Sequence, residues 1–600
     1  MGDHRFTVDK RDMAFVLFEQ IDLERQLLVW DRYRELTPDL LNQVIDHATE
    51  FAAKTLAPLN SVGDVQGCRF EDGRVFAPAG FKQAFRQYCD NEWLGLADDP
   101  QHGGSGLPLP MAVATSEIFM GANLAFMMYP GLTHGAARLI VTFGEDWMRR
   151  QFVPKLMRGE WTGTMCLTEP QVGSYVGDTQ TSAIRRDGQY LLKGVKIFIS
   201  AGEHDLADNI IHLVLARTEG APAGIKGISL FLVPKFLVTP QGDVGERNDL
   251  VCSGIEHKMG INGSATCTIN FGDNDHCVGY LVGKECQGIE IMFQLMNEAR
   301  IAVGIQGLAL GAAAYQTALS YAKERVQGVS IAQWKDPLAE RVPIIAHPDV
   351  RRMLATMKAY VEGLRALLYH VSFYHEMATY LPEAAAREKY QDMVDVLTPI
   401  CKAYCTDTGF DATRLALQVH GGYGYIREYQ VEQFMRDMKI GSIYEGTNGI
   451  QALDLIGRKL PQKKGRLFMQ LANHLNEFAE NYRSHNTVGL LVEAWTKAKD
   501  SLVEVTMHIA QLGLAGNWVY PALSATPYLM LMGDVVLGYY LIDQARVASD
   551  RQTQGSAKDQ AFYQGKIKTA EFFIYNILPA VAARASAIKS GDMSAMEIEF

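Results

Sequence analysis

The ten residues MCLTEPQVGS, Met165 to Ser174, lie where the spacing of the apolar residues changes. Before about Trp161 the apolar residues recur mostly at helical spacing, whereas after it the runs are short, alternating and bounded by turns. Residues 189–194, 210–216 and 228–233 are examples of such runs. Helical spacing returns at Ile289. The stretch therefore predicts the entry to a middle β domain of several antiparallel strands.

The same periodicity divides the 600 residues into five segments. The order of helical and strand-like segments predicts an α+β multidomain protein. We predict an N-terminal helical extension at 1–37, an N-terminal α domain at 38–160, the middle β domain at 161–288, a helical-bundle domain at 289–460 and an additional C-terminal helical domain at 461–600. Residues 462–466, Gln-Lys-Lys-Gly-Arg, are typical of a linker before this last domain.

Composition excludes several classes of protein. Charged residues make up 21% and apolar residues 48%, which is ordinary for a globular chain and excludes disordered, collagen-like and disulfide-scaffold proteins. The 57 Lys and Arg against 68 Asp and Glu give a net charge of −11, which argues against a nucleic-acid partner. Residues 461–600 hold 13 basic and 13 acidic residues, so the C-terminal segment adds no basic patch of note.

Cysteine spacing and apolar runs indicate where the protein acts. The nine cysteines form no C-x-x-C pair, which predicts reduced thiols and no metal site. Charges interrupt every apolar run near the N-terminus, so we expect no signal peptide and a cytoplasmic protein. The uncharged stretches 301–322 and 505–533 carry small and polar residues, and the second contains two prolines. Both are therefore predicted to be buried helices, with no stable membrane insertion.

Three segments have a composition suited to chemistry. Residues 165–174 offer small and hydroxyl side chains beside backbone N–H groups, although a plain β-turn has the same composition. Residues 418–425, QVHGGYGY, allow close backbone approach to a phosphate, or simply end a helix. In residues 443–451, IYEGTNGIQ, the carboxylate of Glu445 stands between an aromatic residue and a glycine. In apolar surroundings it would be a base near neutral pH; otherwise it is a helix cap or a solvated residue.

In combination these motifs resemble the acyl-CoA dehydrogenase family. The pattern TEP-x-x-GS, the strand K-x-F-I-S at 196–200, MNEAR at 296–300, QVHGG-x-GY and IYEGTNGIQ follow in the family's order and at similar intervals. The resemblance covers about residues 38–460, and the ends look like those of the long bacterial subgroup that includes 3-methylmercaptopropionyl-CoA dehydrogenases and broad-range acyl-CoA dehydrogenases. It implies the family fold, with a four-helix bundle as the C-terminal core domain and an extra helical domain beyond it.

The resemblance implies FAD as the cofactor and assigns residues to it. The matching positions in the β domain are Met165, Leu167, Thr168, Gly173, Ser174, Phe198, Ile199 and Ser200. Those in the helical bundle are Arg325, Gln327, Gln418, Gly421, Gly422, Thr447 and Gly449. Arg325, Gln327, Gln418, Gly421 and Gly422 match contacts to the FAD of a neighbouring subunit, which implies a homo-oligomer, either a dimer or a tetramer.

The resemblance also implies a reaction. Glu445 matches the base that removes the α-proton of an acyl-CoA thioester, while the β-hydrogen leaves as hydride to flavin N5 and a trans-2-enoyl-CoA forms. The expected electron acceptor is an electron-transferring flavoprotein. The positions expected to contact substrate are Ser174, Asn297, Arg300, Tyr444, Glu445 and Gly446.

Three alternatives remain at this point. Some family members carry the base immediately before the Arg of MNEAR, but that position is Ala299 here and Glu298 is one residue away. An acyl-CoA oxidase would use the same Glu445 and pass electrons to O₂, and a flavin-containing relative binds DNA through a basic C-terminal domain. The sequence leaves the acyl group open between methylthio-substituted, aromatic and plain fatty chains.

Overall fold

A computed structural model describes residues 6–553 and 556–600, apart from the side chains of residues 293–297. The chain forms two compact units. The first unit contains the residues up to His47, Pro108–Gly121 and Arg300–Phe600, and the second contains Ala48–Leu107 and Ala122–Ala299. The five domain boundaries expected from the sequence stay a prediction.

Most of the described chain is helical. The α-helices α1 to α21 are, in order, Lys10–Ala14, Leu23–Gln26, Pro38–Phe51, Ala57–Gln66, Phe81–Asp90, Leu109–Ala122, Leu124–Phe143, Asp146–Met157, Gly288–Glu324, Pro348–Tyr380, Ala384–Pro399, Cys405–His420, Val431–Lys439, Asn448–Asp454, Arg466–Tyr482, Gly489–Leu514, Val519–Leu523, Ala525–Arg551, Ala557–Asn576, Ala580–Lys589 and Ser594–Glu597. Four π-helical segments adjoin them, at Phe15–Gln20, Ala52–Leu56, Ile400–Tyr404 and Leu455–Lys459.

The strands lie mainly in the second unit. The strands β1 to β14 are, in order, Arg69–Glu71, Arg74–Phe76, Trp161–Cys166, Ser182–Arg186, Gln189–Ser200, Asn209–Thr218, Ile228–Pro234, Phe236–Val238, Val244–Arg247, Leu250–Ile255, Thr266–Phe271, Cys277–Val282, Val326–Val329 and Arg341–Pro343. Only β13 and β14 belong to the first unit among the strands of the described residues, where they form a hairpin between α9 and α10.

One eight-stranded sheet forms the core of the second unit. Its order is β10-β11-β5-β12-β7-β6-β3, with β4 beside β5 and β6. The pairs are antiparallel as predicted, except that β3 and β4 run parallel to β6. All of β7 and nearly all of β6 are buried, since both faces of these central strands are covered. Together with the helices, this sheet confirms the predicted α+β class.

Close helix packing explains the uncharged stretch at 301–322. This stretch lies within α9, and a side chain at Gly304 or Gly307 would lie within 2.3 Å of the backbone of the adjoining segment at Cys401 or Cys405. The stretch 505–533 instead divides between α16, α17 and α18. Ala525–Arg551 is long and apolar enough to cross a membrane, but 83% of its apolar window is buried inside the protein. Such burial is typical of a core helix.

A cluster of charges is buried in the first unit. Arg365 on α10 donates to Asp12 on α1 and to Glu117 on α6, with its Nε 3.1 Å from Glu117 Oε1. Lys566 on α19 pairs with the same Asp12 and lies 3.2 Å from Glu362 Oε2. All five side chains are almost completely excluded from solvent.

The buried charges balance each other. With Lys358, which pairs with Glu362, the cluster has three acidic and three basic groups. Burial alone would raise the pKa of Asp12, but Lys566 and Arg365 hold it at about 2. A buried charge without a partner is very unfavourable, so each member requires the others. The cluster therefore ties the N-terminal extension and the C-terminal helices to α6 and α10.

The predicted linker is held by ion pairs. Lys463 Nζ lies 2.7 Å from Asp392 Oδ1, and Arg466 Nε lies 2.8 Å from Asp392 Oδ2. Both basic side chains also contact Glu388, another residue of α11. The basic residues that distinguish this stretch in the sequence thus fix the start of the C-terminal helices on the surface of the core.

We expect Lys566→Met to destabilise the protein strongly, because it leaves the buried Asp12 and Glu362 with one cation fewer. Breaking a buried ion pair costs about 3–5 kcal/mol. The matched control is Lys568→Met on the same helix, whose exposed pair with Glu571 contributes less than about 1 kcal/mol. Thermal unfolding of the two variants measures the difference. Equal melting temperatures would show that the buried cluster contributes no more than a surface pair.

Candidate active site

The backbone turns sharply at Glu445. Glu445 has φ +55° and Gly446 has φ +81°, and the next residue, Thr447, caps helix α14 by accepting a hydrogen bond from Ile450 N at 3.2 Å. The positive φ of Gly446 favours glycine, and a side chain there would also approach Gln451 Nε2 to 2.8 Å. A glutamate in the left-handed region is uncommon, and such residues cluster at functional sites.

Hydrogen bonds fix the two peptide groups beside the carboxylate. The Gln451 side chain, fully buried, donates from Nε2 to Glu445 O at 3.2 Å and to Gly446 O at 3.4 Å. Among the residues that the structure describes, none accepts a hydrogen bond from Glu445 N. The turn therefore presents both a carboxylate and a backbone donor at one residue.

Burial makes Glu445 a stronger base than an ordinary glutamate. Protein atoms surround the side chain densely, although part of its surface stays open to solvent. This burial raises the pKa of Glu445, and the nearby cations Arg300 and Lys402 oppose the rise without cancelling it. The direction agrees with that expected for a carboxylate in apolar surroundings, and the role of Glu445 as a base stays a prediction.

Two further predicted substrate contacts belong to the same surroundings. Arg300 is 3% exposed, and its Nη1 lies 3.3 Å from Asp454 Oδ2 on α14. Burial lowers the pKa of the Arg300 guanidinium, whereas Asp454 and Glu445 favour its charged form. Tyr444 donates its hydroxyl hydrogen to Gln306 on α9. The side chain of Asn297 lies outside the described residues.

Sequence reasoning missed Lys402, a fully buried lysine near Glu445. Burial lowers the pKa of Lys402 to about 8, against the attraction of Glu445 and Asp407. A lone basic residue within the apolar run 400–404 was the available signal, because a lysine is rarely buried without a partner.

In the second unit, a buried ion pair fixes the loop at 166–174. Lys196 Nζ lies 2.8 Å from Glu169 Oε1 and 2.9 Å from Leu167 O, and neither charged side chain is more than 2% exposed. Glu169 also accepts from the backbone N–H groups of Gln180 and Thr181 at 2.8 and 3.0 Å. The pair thus joins the first predicted motif to the K-x-F-I-S strand.

The predicted cofactor positions in this loop differ in how open they are. Cys166 and Glu169 are buried, whereas Met165, Leu167 and Thr168 are partly open and Gly173 and Ser174 are exposed. Residues 169–172 form the turn that was the simpler interpretation of this sequence, with backbone hydrogen bonds in both directions between Glu169 and Val172. The turn and an open binding surface therefore coexist in one loop.

The K-x-F-I-S strand presents one aromatic ring to solvent. Phe198 has φ +58° and is 58% exposed, which is unusual for a phenylalanine within a strand. The Ile199 side chain is instead 2% exposed in the core, so only its backbone is available to a ligand. Ser200 is partly open, and Ile197 N donates to Thr168 O at 2.9 Å, which holds this strand beside the loop.

The third group of predicted positions lies at the end of α12, in the first unit. Gln418, Gly421 and Gly422 are exposed, and a side chain at either glycine would meet nothing within 4 Å. The guanidinium of Arg325 lies 5.5 Å from the ring centre of Tyr423 in the same loop. The structure therefore brings Arg325 to the glycine-rich motif. Gln327 is exposed beyond it on β13, and its carbonyl lies 2.8 Å from His347 Nε2.

Other positions from the sequence lie as follows. Thr447 is partly open and Gly449 is exposed at the start of α14. Glu298, beside the alternative base position at Ala299, is 3.1 Å from Arg138 Nη2 in the second unit. The Glu298 side chain is 37% exposed, in contrast to the dense protein surroundings of Glu445.

Four family descriptions match the chain in sequence order. They are acyl-CoA dehydrogenase, N-terminal domain, at 39–160; acyl-CoA dehydrogenase, middle domain, at 164–274; acyl-CoA dehydrogenase, C-terminal domain, at 286–460; and acetyl-CoA dehydrogenase C-terminal like, at 471–599. The last match covers most of the helices that follow the linker.

Individual proteins show the same relationship. The chain is 39% identical over 581 residues to the 3-methylmercaptopropionyl-CoA dehydrogenase of Ruegeria pomeroyi, covering 96% of this chain and 97% of that one. It is 35% identical to the broad-specificity linear acyl-CoA dehydrogenase of Mycobacterium tuberculosis, over 100% and 99% of the two chains. The acyl-CoA dehydrogenase of Bacillus anthracis, solved in complex with FAD, has the same fold, with a TM-score of 0.73, 22% identity, and coverage of 94% of this chain and 91% of that one.

These matches confirm the family predicted from the motifs. They span the core domains and the additional C-terminal helices alike. The chain belongs to the acyl-CoA dehydrogenase family and is an FAD-dependent flavoprotein oxidoreductase of fatty-acid metabolism.

Proposed function

We propose that this enzyme removes the α- and β-hydrogens of an acyl-CoA thioester to give the trans-2-enoyl-CoA, with Glu445 as the base. The observation that carries the proposal is the state of Glu445, a carboxylate in a left-handed turn, surrounded by protein and flanked by Arg300 and Lys402. A base with a raised pKa suits a weakly acidic C–H bond, because it accepts the proton more strongly than a solvated carboxylate would.

The turn can also stabilise the charge that develops on the substrate. As the α-proton leaves, negative charge accumulates on the thioester oxygen, and a fixed N–H donor there lowers the barrier. Glu445 N has no acceptor among the described residues, and the Gln451 hydrogen bonds hold the two carbonyls that follow it in the turn, those of Glu445 and Gly446. We assign this N–H to the thioester oxygen, with Tyr444, Gly446 and Arg300 around the reacting end.

The open positions described above have donors that suit FAD. Exposed glycines without steric obstruction, an arginine and an amide side chain fit a pyrophosphate and an adenine, and the exposed ring of Phe198 fits a planar ring system. FAD, when bound, takes up the β-hydrogen with its electron pair, so the protein itself has only to bind, orient and deprotonate the substrate. We propose all fifteen predicted positions as FAD contacts, with Ile199 contributing through its backbone.

The finer parts of the proposal concern partners. We propose a cytoplasmic homo-oligomer, a dimer or a tetramer, in which Arg325, Gln327, Gln418, Gly421 and Gly422 reach a neighbour's FAD. Electron-transferring flavoprotein is the proposed acceptor. Turnover under anaerobic conditions with that flavoprotein, against peroxide release in air, distinguishes a dehydrogenase from an oxidase. Anaerobic bleaching of the flavin by butyryl-, octanoyl-, 3-methylmercaptopropionyl- and phenylpropionyl-CoA would identify the acyl class.

Replacement of the base tests the catalytic assignment. We expect Glu445→Gln to keep its yellow flavin and to reduce it about 10²–10⁴-fold more slowly, because the amide cannot accept the α-proton. Stopped-flow absorbance with excess acyl-CoA measures this rate. The matched control is Glu298→Gln, which should retain nearly the full rate. An inactive Glu298→Gln beside an active Glu445→Gln would overturn the assignment.

The pH dependence has a definite sign. An ordinary glutamate has a pKa of about 4.3. Because burial raises the pKa of Glu445, this carboxylate becomes protonated, and ceases to be a base, at a higher pH than an ordinary glutamate does. We expect kcat/KM to rise with pH through this raised value and then to level off. Steady-state kinetics across the acidic range, with FAD content checked at each pH, measures this rise, which is the acidic limb of the pH profile of kcat/KM. A rate that is constant down to the ordinary glutamate range would contradict the role of burial.

A further inference from the structure

Lys402 is a charged group near Glu445 to which the chemistry proposed above assigns no role of its own. It lies in the π-helical segment Ile400–Tyr404 and is completely buried, next to the buried Cys401. Its Nζ donates to Asn448 Oδ1 at 2.8 Å. Among the described residues it forms no salt bridge within 4 Å, so its direct partner is a neutral amide. Such a burial is costly, which indicates that the charge serves a purpose.

The groups that face Lys402 connect it to the base. Glu445 and Asp407 attract its positive charge, and Arg300 repels it. Conversely, Arg300 and Lys402 are the two cations that favour the ionised form of Glu445. Arg300 is partly neutralised by its ion pair with Asp454, whereas the Lys402 charge has no such direct counterion.

Asn448 links this lysine to the catalytic turn. It is the first residue of α14 and stands three positions after Glu445. Besides accepting from Lys402, its amide donates to Asp407 Oδ1 at 2.8 Å, to Thr406 Oγ1 at 3.1 Å and to Ala403 O at 3.2 Å. The helix that follows the turn is therefore anchored to the segment that carries Lys402.

The additional C-terminal helices hold the other side of that segment. Tyr404, two residues after Lys402, donates to Asp534 Oδ1 on α18 at 2.7 Å, and Arg584 on α20 pairs with the same carboxylate. A side chain at Gly533 would lie 2.1 Å from the Tyr404 ring, so the close packing of α18 against this segment leaves no room for a Cβ atom there. The same α18 also packs against α14.

We propose that Lys402 is a positioning residue that keeps Glu445 ionised and correctly placed, and that Asp534 of the C-terminal helices holds Lys402 in position. The proposal rests on the proposed function, since it presupposes that Glu445 is the base. Before turnover the ammonium favours the carboxylate form in a site that otherwise disfavours charge. The C-terminal helices, with no chemistry of their own, thereby act on the active site.

The test is the pH dependence of kcat/KM for Lys402→Met holoenzyme, with the fastest substrate of the acyl-CoA panel. Met keeps the length of the side chain and removes its charge, so the acidic limb should move to higher pH by about one to two units. The matched control is Lys459→Met. Lys459 is also buried in a π-helical segment and also has a lowered pKa, but its contact is Asp395 and it has no effect on Glu445. Its limb should stay at the wild-type position.

A second pair of variants tests the contact between Tyr404 and Asp534. It also keeps the proposal testable if Lys402→Met does not yield yellow holoenzyme. Asp534→Ala removes the acceptor of the Tyr404 hydroxyl and should move the acidic limb in the same direction by a smaller amount. Asp543→Ala, on the same helix but paired with Arg546, should not move it. A wild-type limb in Lys402→Met would overturn the role of Lys402. A wild-type limb in Asp534→Ala would overturn the role of the C-terminal helices, and would overturn the whole proposal if Lys402→Met yields no holoenzyme.

The outcome for Glu445→Gln separates the two levels of inference. If Glu445→Gln is inactive and Lys402→Met has the wild-type limb, the base stands and the positioning role is wrong. If Glu445→Gln reduces flavin at the wild-type rate, the base itself is wrong, whatever the Lys402 variants do.

Discussion

The chemistry that we propose for this enzyme depends on a carboxylate that is largely surrounded by protein. Glu445 stands in a left-handed turn whose carbonyls are held by Gln451, and burial raises its pKa while Arg300 and Lys402 limit the rise. If Glu445 were less buried, its pKa would be lower and it would be a weaker base. If the nearby cations were absent, its pKa would be higher and the carboxylate would be protonated over more of the pH range. The fold has to supply both conditions at one residue, which requires cations that are themselves buried.

The first unit also contains a second group of buried charges. Asp12, Arg365 and Lys566 come from opposite ends and the middle of the chain, yet they share one cluster that excludes solvent. A second contact, from Tyr404 to Asp534, joins the core helices to the C-terminal ones. The residues beyond the linker are thus packed against the core helices of the unit that carries Glu445.

Local sequence patterns predicted the structural features that depend on residues close together in the sequence. The short runs at 210–216 and 228–233 predicted strands of an antiparallel β domain, and they form the antiparallel pair β6 and β7. The left-handed turn at Glu445 and Gly446 was not predicted. The parallel pairing of β3 with β6 was missed, because it joins residues nearly fifty positions apart whose faces give no directional signal. Asn448 and the Asp12 cluster were missed for the same reason, since each partner is ordinary until folding brings it to the other. Lys402 had a local signal, its place in the apolar run 400–404, but its neighbour Glu445 is distant in sequence.

The central claim is that Glu445 is a partly desolvated carboxylate with a raised pKa. An infrared difference titration of oxidised holoenzyme, wild type minus Glu445→Gln, isolates the carboxyl band of this one residue and follows its protonation directly. We predict a midpoint above the ordinary glutamate value of about 4.3. A midpoint at or below that value would contradict the account.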